Sequence, residues 1–469
     1  MKVRNEFLDD RFLLPTDFAV ELYEGHAKEL PIVDFHCHLD PVEVADNAVA
    51  EDIVELWIEK DPYKWRAMRM NGVPEALVTG TGQRAEKMAA WAEVLPRLLG
   101  SPLYQWSMLE LKRCYGIEEA LRPENAAAIR ETCNERLRAG GLGTGDILRR
   151  FKVETLCTSD AWLDDLAPHK RSRDLRLRPS LRGDAALDLE SSSYGDWASR
   201  VCSLAGGESP SLDGLKAGLA VLMDRFIEAG CCLADHGLSD FRIQLQDAAN
   251  LEESFAKLLA GEALEEVDRE ALHGHLLLYL FEEYSKRGWT LQLHVGACRY
   301  TSSRLRELAG PAGGYACIGD SVSVADLCRL FDCLEKRGGL PRVILFPMNP
   351  SDYEKFATVS GSFVEGGVAA KVQLGPAWWY NDHLEGIRRQ LKATAHHGLL
   401  GRFVGMTTDS RSALSMTRHE YFRRTFCGLL GEWADLGLVP RDAASLGSVI
   451  EDVCYGNAAQ LMAGNPVRG

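Results

Sequence analysis

A parallel (β/α)8 barrel is the fold class this chain predicts, on three observations. Eight short apolar, β-branched runs each stop at a polar cluster, helical patterns lie between them, and 469 residues suffice for one large barrel. The first run is Pro31-Ile32-Val33-Asp34-Phe35-His36-Cys37-His38, and the second is Lys152 to Asp160. Weaker runs follow at Leu175 to Arg182 and Ala229 to His236. Stronger ones resume at Trp289 to Gly296, Pro341 to Phe346, Ala370 to Gly375 and Arg402 to Asp409. Between them, Ala271 to Gly288 is apolar at Leu272, Leu276, Leu277, Tyr279 and Leu280 and ends in Lys286-Arg287-Gly288, a helix with its stop signal. Strand and helix alternating eight times places parallel strands in a closed ring. The gap between the first two runs is far longer than a crossover needs, and Glu51 to Leu148 reads mostly helical. The expectation is therefore a single, distorted TIM barrel over residues 1–469, with a helical insertion at 45–150 riding on its catalytic face.

Composition narrows the function. Apolar residues make up 46% and charged residues 26%, the balance of a folded, water-soluble protein. A formal charge of -15 repels phosphate backbones and anionic membrane surfaces, so neither nucleic acid nor membrane is the expected partner. The start, Met1-Lys2-Val3-Arg4-Asn5-Glu6, has no signal-peptide core, and nowhere do 18 uncharged apolar residues run together; a cytoplasmic protein is expected. Thirteen cysteines, odd in number, scattered and without a CxxC pair, read as reduced thiols, with Cys231-Cys232 as small buried hydrophobes. No repeat of 20 to 50 residues is present, which removes solenoids and propellers.

In such a barrel the active site lies at the C-terminal ends of the strands, so the polar residues ending each run are the candidates. They are His36 and His38, Asp160, Arg182, Asp235 and His236, His294, Arg299, Asn349, Trp378 and Trp379, and Asp409 with Arg411. His36 and His38 stand at i and i+2 on one face of a strand, where two imidazoles can share a divalent metal. Asp409, at the end of the last strand, is the natural third ligand, because the first and eighth strands of a closed barrel are neighbours. A chance HxH is the competing reading, and the chain holds its own control: His273-Gly274-His275 falls on a predicted helix, where i and i+2 face different sides. His396-His397 and His419 lie on helices or helix ends and read as surface residues. The segment from His419 to Arg423 lacks the second histidine of a zinc-protease motif.

Arg182, Arg299 and Arg411 all fall at strand ends of an acidic protein, which suggests a small anionic ligand at the mouth; pairing of Arg411 with Asp409 is the structural alternative. Asp235-His236 and His294 either satisfy the barrel core or join a shared site, and three titratable groups on neighbouring strands favour the latter. Tyr63 sits in the basic, aromatic run Asp61-Pro62-Tyr63-Lys64-Trp65-Arg66-Ala67-Met68-Arg69, which by spacing alone is an ordinary helix start.

HxH after the first strand with Asp at the end of the eighth resembles the metal-dependent amidohydrolase superfamily. More narrowly, the chain resembles uronate isomerases through Asp34-Phe35-His36-Cys37-His38, Tyr63-Lys64-Trp65-Arg66-Ala67-Met68-Arg69, Ala234-Asp235-His236-Gly237 and Gln292-Leu293-His294-Val295-Gly296-Ala297. Further matches are Trp378-Trp379-Tyr380-Asn381-Asp382, Thr408-Asp409-Ser410-Arg411-Ser412 and Thr417-Arg418-His419-Glu420-Tyr421-Phe422-Arg423-Arg424, so the likeness spans essentially the whole chain. It implies interconversion of an aldehyde-bearing hexuronate and its keto form, D-glucuronate with D-fructuronate and D-galacturonate with D-tagaturonate. It also implies His36, His38 and Asp409 as ligands of one divalent metal, expected to be Zn2+. Tyr63, Asp235, His294 and Arg411 then fall on the family's active-site positions, as does Arg182, anchored by Pro179-Ser180-Leu181-Arg182.

Moving a carbonyl from C1 to C2 through an ene-diol needs a base, an acid and positive charge at the oxygens. Asp409 and Tyr63 are the expected proton-transfer groups, His294 and Asp235 hold hydroxyls, and Arg411 or Arg182 holds the substrate carboxylate, with Trp379 in the binding set. Three departures from the family pattern lie near the mouth: Asn349-Pro350-Ser351-Asp352 lacks an arginine, Gly375-Pro376-Ala377 replaces Gly-Ser-Gly, and Arg299-Tyr300-Thr301-Ser302-Ser303-Arg304 replaces an asparagine-rich stretch. They leave open a relative acting on a different sugar acid or a lactone. A metal-dependent hydrolase is the alternative, weakened because the sixth strand carries no histidine and the fourth ends in Ala234-Asp235-His236. A non-catalytic sugar-acid binder leaves the clustering of His36, His38, Tyr63, Asp235, His294 and Asp409 unexplained. The resemblance also suggests homo-oligomers, although no heptad or apolar edge argues for one.

Overall fold

The computed structural model describes residues 7–172, 175–206, 210–241 and 250–463. The start read for a signal sequence, Met1 to Glu6, lies outside them. Among the described residues nine strands form: β1 Ile32–Cys37, β2 Val153–Ala161, β3 Arg176–Arg182, β4 Leu233–Leu238, β5 Thr290–Val295, β6 Ala297–Cys298, β7 Cys317–Ile318, β8 Arg342–Pro347 and β9 Val372–Leu374. Seven of them make one parallel sheet in the order β1-β2-β3-β4-β5-β8-β9, curled as a TIM barrel, while β6 and β7 pair antiparallel beside it. β1, β5 and β8 are buried on both faces almost throughout, which is why they read as near-continuous apolar runs rather than as alternation, whereas β3 carries arginines that are exposed or half-buried.

The predicted eighth strand is a correction. Residues 402–409 run alongside β1 but carry no strand ladder. Gly405 takes a φ of +86, and a Cβ there would meet Val453 O at 2.3 Å, so the chain kinks under the helix behind it. The segment is fastened to β1 by backbone bonds, Asp409 N to His36 O at 3.0 Å and His38 N to Ser410 O at 2.8 Å. Side chains add to this: buried Asp34 accepts from the Thr408 hydroxyl at 2.6 Å and from the Thr408 amide, and it also accepts from the Thr407 hydroxyl. The ring thus closes at β1 through two backbone bonds and a side-chain network rather than through a continuous ladder.

The fourth strand also begins later than its apolar run. The helix Leu212–Glu228 ends with Gly230 at φ +88, and Cys231 N reaches back to Phe226 O at 2.9 Å, so Ala229 and Gly230 belong to a helix stop. The helix expected at Ala271 to Gly288 spans Glu266–Lys286 and carries both His273 and His275, as the control pair requires.

Between β1 and β2 the chain is helical, with Pro62–Met70, Arg84–Val94, Pro102–Tyr115 and Ala126–Ala139 as its longest pieces. Trp57, Trp91 and Trp106 are fully buried there, in one apolar cluster with Phe35 of β1 and Phe346 of β8. Among the described residues, no helix is long and apolar enough to cross a membrane, and all thirteen cysteines are unpaired.

Candidate active site

The period-2 geometry of β1 and the seam with residues 402–409 meet at one carboxylate. Asp409 Oδ1 lies 3.4 Å from His36 Nε2 and 3.0 Å from His38 Nε2, and its Oδ2 accepts from Trp378 Nε1 at 2.9 Å. Asp409 holds a φ of +47, and Trp379 on the facing loop one of +54. Left-handed backbone in a bulky residue costs about 1–3 kcal/mol and persists where packing over-determines it. Burial pushes the Asp409 carboxyl up, but hydrogen bonds and charge from His36 and His38 outweigh it and hold the group well below its ordinary range. Burial keeps His38 on the neutral side.

Tyr63 arrives from the helical segment. Asp61 caps the helix Pro62–Met70, accepting from the Tyr63 amide at 2.9 Å, with Pro62 in the first turn. One residue on, Lys64 is buried and bonds Asp61 Oδ2 at 2.8 Å and Glu110 Oε2 at 3.4 Å, fixing the rotation of the helix. The Tyr63 ring stands edge-on to Trp106, and the Arg418 guanidinium lies over it at 5.1 Å. Burial pushes the phenol well above its ordinary value, Arg418 pulls it back, and Asp409 raises it again, so Tyr63 remains protonated and within the electrostatic reach of Asp409.

The strands opposite supply the rest. Asp235 faces Arg182 in register and accepts from Ser159 Oγ at 3.1 Å and Ser180 Oγ at 3.4 Å. His294 is buried between Phe346, stacked at 4.4 Å, and Trp378, edge-on at 4.7 Å; the His36 ring is 4.7 Å away. Burial, then the charge of His36, holds His294 well below its ordinary value, a neutral imidazole. Arg182 bonds Asp184 at 3.2 Å and also senses Asp235 and Asp409, while burial and the charge of Arg182 both lower Arg411 and Arg299. Two guanidiniums that each feel the charge of Arg182 make a cationic mouth that favours an anion.

The donor sets suit a metal. His36, His38 and Asp409 form one group whose ligand atoms lie within 4.8 Å of one another, and His36, Asp235 and His294 form a second. His36 Nδ1 and His294 Nε2 are buried with no hydrogen-bond partner among the described residues, an expense that a ligand removes. Two imidazoles and a carboxylate are the ligand types of a three-residue divalent site with an open position.

Not every residue singled out from the sequence enters this mouth. His236 turns outward and meets Tyr284 OH at 2.9 Å in the helix layer. Asp160 engages Thr158 and His169, and Asn349 caps a turn and bonds Gly319 O. Arg411 sits near Asp409 electrostatically rather than as a direct ion pair. Of the two tryptophans, Trp378 touches Asp409 and His294, whereas Trp379 stacks on Tyr380 and faces Arg299 at 5.8 Å. His419 corrects the surface reading: it is buried, with Nε2 3.6 Å from Asp34 Oδ2.

Sequence reasoning gave no role to Arg418 or Asp382. Arg418 is 1% exposed, lies over Trp106 at 4.1 Å, donates to Thr408 O at 3.2 Å and approaches Asp382 to 4.0 Å. The helix Thr417–Asp435 carries Arg418, Arg423 and Arg424, all buried, and nothing in its sequence sets Arg418 apart from the other two.

Comparison with known proteins agrees across the length of the chain. The family model described as glucuronate isomerase matches residues 4–462. A uronate isomerase of Caldicellulosiruptor bescii is 40% identical over 462 residues, covering 97% of this chain and 98% of its own. One of Salmonella arizonae is 41% identical over 465 residues, covering 97% and 99%. Among solved structures, the uronate isomerase of Thermotoga maritima superposes with a TM-score of 0.91 at 29% identity, covering 98% of this chain and all of its own. The glucuronate isomerase of Caulobacter crescentus, at 23% identity and a TM-score of 0.88, shares the fold over 99% of both chains.

Proposed function

The chain belongs to the uronate isomerase family, and from that premise we propose that its barrel mouth interconverts D-glucuronate with D-fructuronate, and D-galacturonate with D-tagaturonate. The observation that carries the reading is convergence: an ionised Asp409, a protonated Tyr63, a neutral His294 and three guanidiniums surround one opening, although they come from segments hundreds of residues apart. In this reading Asp409 takes the proton from C2 of the open-chain aldose and returns one to C1, while Tyr63 moves the hydroxyl proton between O2 and O1. The same carboxylate assists ring opening. His294 and Asp235 hold hydroxyls, Arg182 and Arg411 grip the substrate carboxylate, and Trp379 walls the binding space.

A single zinc ion held by His36, His38 and Asp409 would supply positive charge at the carbonyl and hydroxyl oxygens. The segment 45–150 then serves as a helical subdomain that delivers Tyr63. A cytoplasmic, oligomeric enzyme completes the proposal. The hydrolase alternative is not favoured, because the matching relatives are isomerases.

Proton NMR of each uronate in D2O with the purified protein tests the assignment. Ketose signals with deuterium washed into the carbon position support it; no change in either sugar with metal bound sinks it.

A further inference from the structure

We propose that Cys298 and Cys317 form a modification site, a cross-strand dithiol that a low-molecular-weight disulfide oxidises to an intramolecular disulfide beside the active-site mouth. The two residues face each other directly in the antiparallel β6–β7 pair. Opposed residues in such a pair stand about 4.5–5.5 Å apart at Cα and project to the same face, inside the window of roughly 4.4–6.8 Å that a disulfide spans. Gly319 N donates to Gly296 O at 2.9 Å one residue beyond the pair, which fixes this register. Both thiols are free; Cys298 is exposed and Cys317 half-buried, whereas eight of the other cysteines are buried. Burial, and after it the charge and hydrogen bonding of Cys298, push the Cys317 thiol up, in keeping with the facing register.

Placement gives the pair its consequence. Cys298 precedes Arg299, whose guanidinium lies 5.9 Å from the Trp378 ring. Cys317 follows Ala316, whose carbonyl accepts from Arg66 at 2.9 Å and from Tyr380 OH at 2.7 Å. Arg66 lies on the helix that carries Tyr63. A bond between the two sulfurs would tie the strand leading into Arg299 to the loop gripping that helix.

The chemistry needs no group that the pair lacks except the oxidant. The exposed Cys298 thiolate attacks one sulfur of glutathione disulfide, forming a mixed disulfide and expelling one glutathione thiolate. The Cys317 thiolate then attacks the Cys298 sulfur, closes the intramolecular bond and expels the second. Two protein thiols are oxidised, one glutathione disulfide is reduced to two thiols, and the two protons pass to those products.

The test treats the intact native protein with glutathione disulfide, alkylates the remaining thiols, and maps the peptides under non-reducing conditions. Expected is a cross-linked pair of peptides containing Cys298 and Cys317, lighter by two hydrogens, with two of the thirteen thiols lost and both recovered on adding dithiothreitol. Cys317→Ser should arrest at the mixed disulfide on Cys298. The proposal is overturned if wild-type Cys298 and Cys317 are both still alkylated, if the wild type also stops at the mixed disulfide, or if the cross-link joins other cysteines such as Cys328 and Cys333.

Discussion

Asp409 is pulled in two directions: burial favours its neutral form, and His36, His38 and the Trp378 indole favour the ionised one. Asp409→Asn keeps the shape and removes the charge, so turnover should fall roughly 10²–10⁴-fold, while calorimetry with uronate still detects binding. Retained turnover would move the base elsewhere. Asp382 shows the opposite balance. Burial pushes it up to about 7, with Arg418 opposing and Asp409 assisting, against an ordinary value of 3.8. Between those values the folded protein holds a proton that the unfolded chain has lost. This group's contribution to stability is therefore complete below 3.8 and falls by about 1.4 kcal/mol per pH unit until about pH 7. Urea unfolding of Asp382→Asn from pH 4 to pH 8 should show a flatter decline than wild type across that window; parallel profiles would refute it. At this scale the sequence disclosed the residues whose direction follows from strand periodicity, His36, His38, Asp235 and His294. It could not disclose that Trp378, rather than Trp379, faces Asp409, because that choice is made by a left-handed residue in a turn.

The helix Pro62–Met70 turns a local pattern into a site. Its start was legible as Asp-Pro, but its rotation is set by Lys64, one buried cation shared between Asp61 and the distant Glu110. Removing one partner of a buried pair leaves uncompensated charge and costs about 3–5 kcal/mol. Lys64→Ala should lower the urea midpoint accordingly, and it should reduce turnover in the surviving folded fraction because Tyr63 loses its anchor. Lys64→Met should recover part of the stability only together with neutral replacements of Asp61 and Glu110. Seven of the eight predicted strands formed, and the clearest of them, β1, β5 and β8, were legible because a strand buried on both faces reads as a near-continuous apolar run, while β3 and β4, without a β-branched residue, gave the weaker signal. Residues 402–409 have the same composition and are not a strand, since Gly405 and the Asp34 side chain redirect the hydrogen bonds. Composition reports burial there, not pairing.

At the scale of the whole barrel, the seam between β1 and residues 402–410 is a thin join that carries the site. Among the described residues, only two backbone hydrogen bonds join β1 to the segment ending at Ser410, and both flank the His36, His38 and Asp409 donors. A cation bound by those three would cross the seam and act on the stability of the entire ring, since a ligand that binds only the folded state stabilises by about 2.7 kcal/mol at a hundred times its dissociation constant. Zinc should raise the melting temperature of the metal-stripped protein and slow amide exchange at His38 and Asp409. The two donor groups that share His36 predict different variants. If the seam group holds the ion, His38→Asn abolishes the zinc-dependent shift and His294→Asn preserves it. The reverse pattern would assign the ion to His36, Asp235 and His294, inside the ring, where it would leave exchange across the seam unchanged.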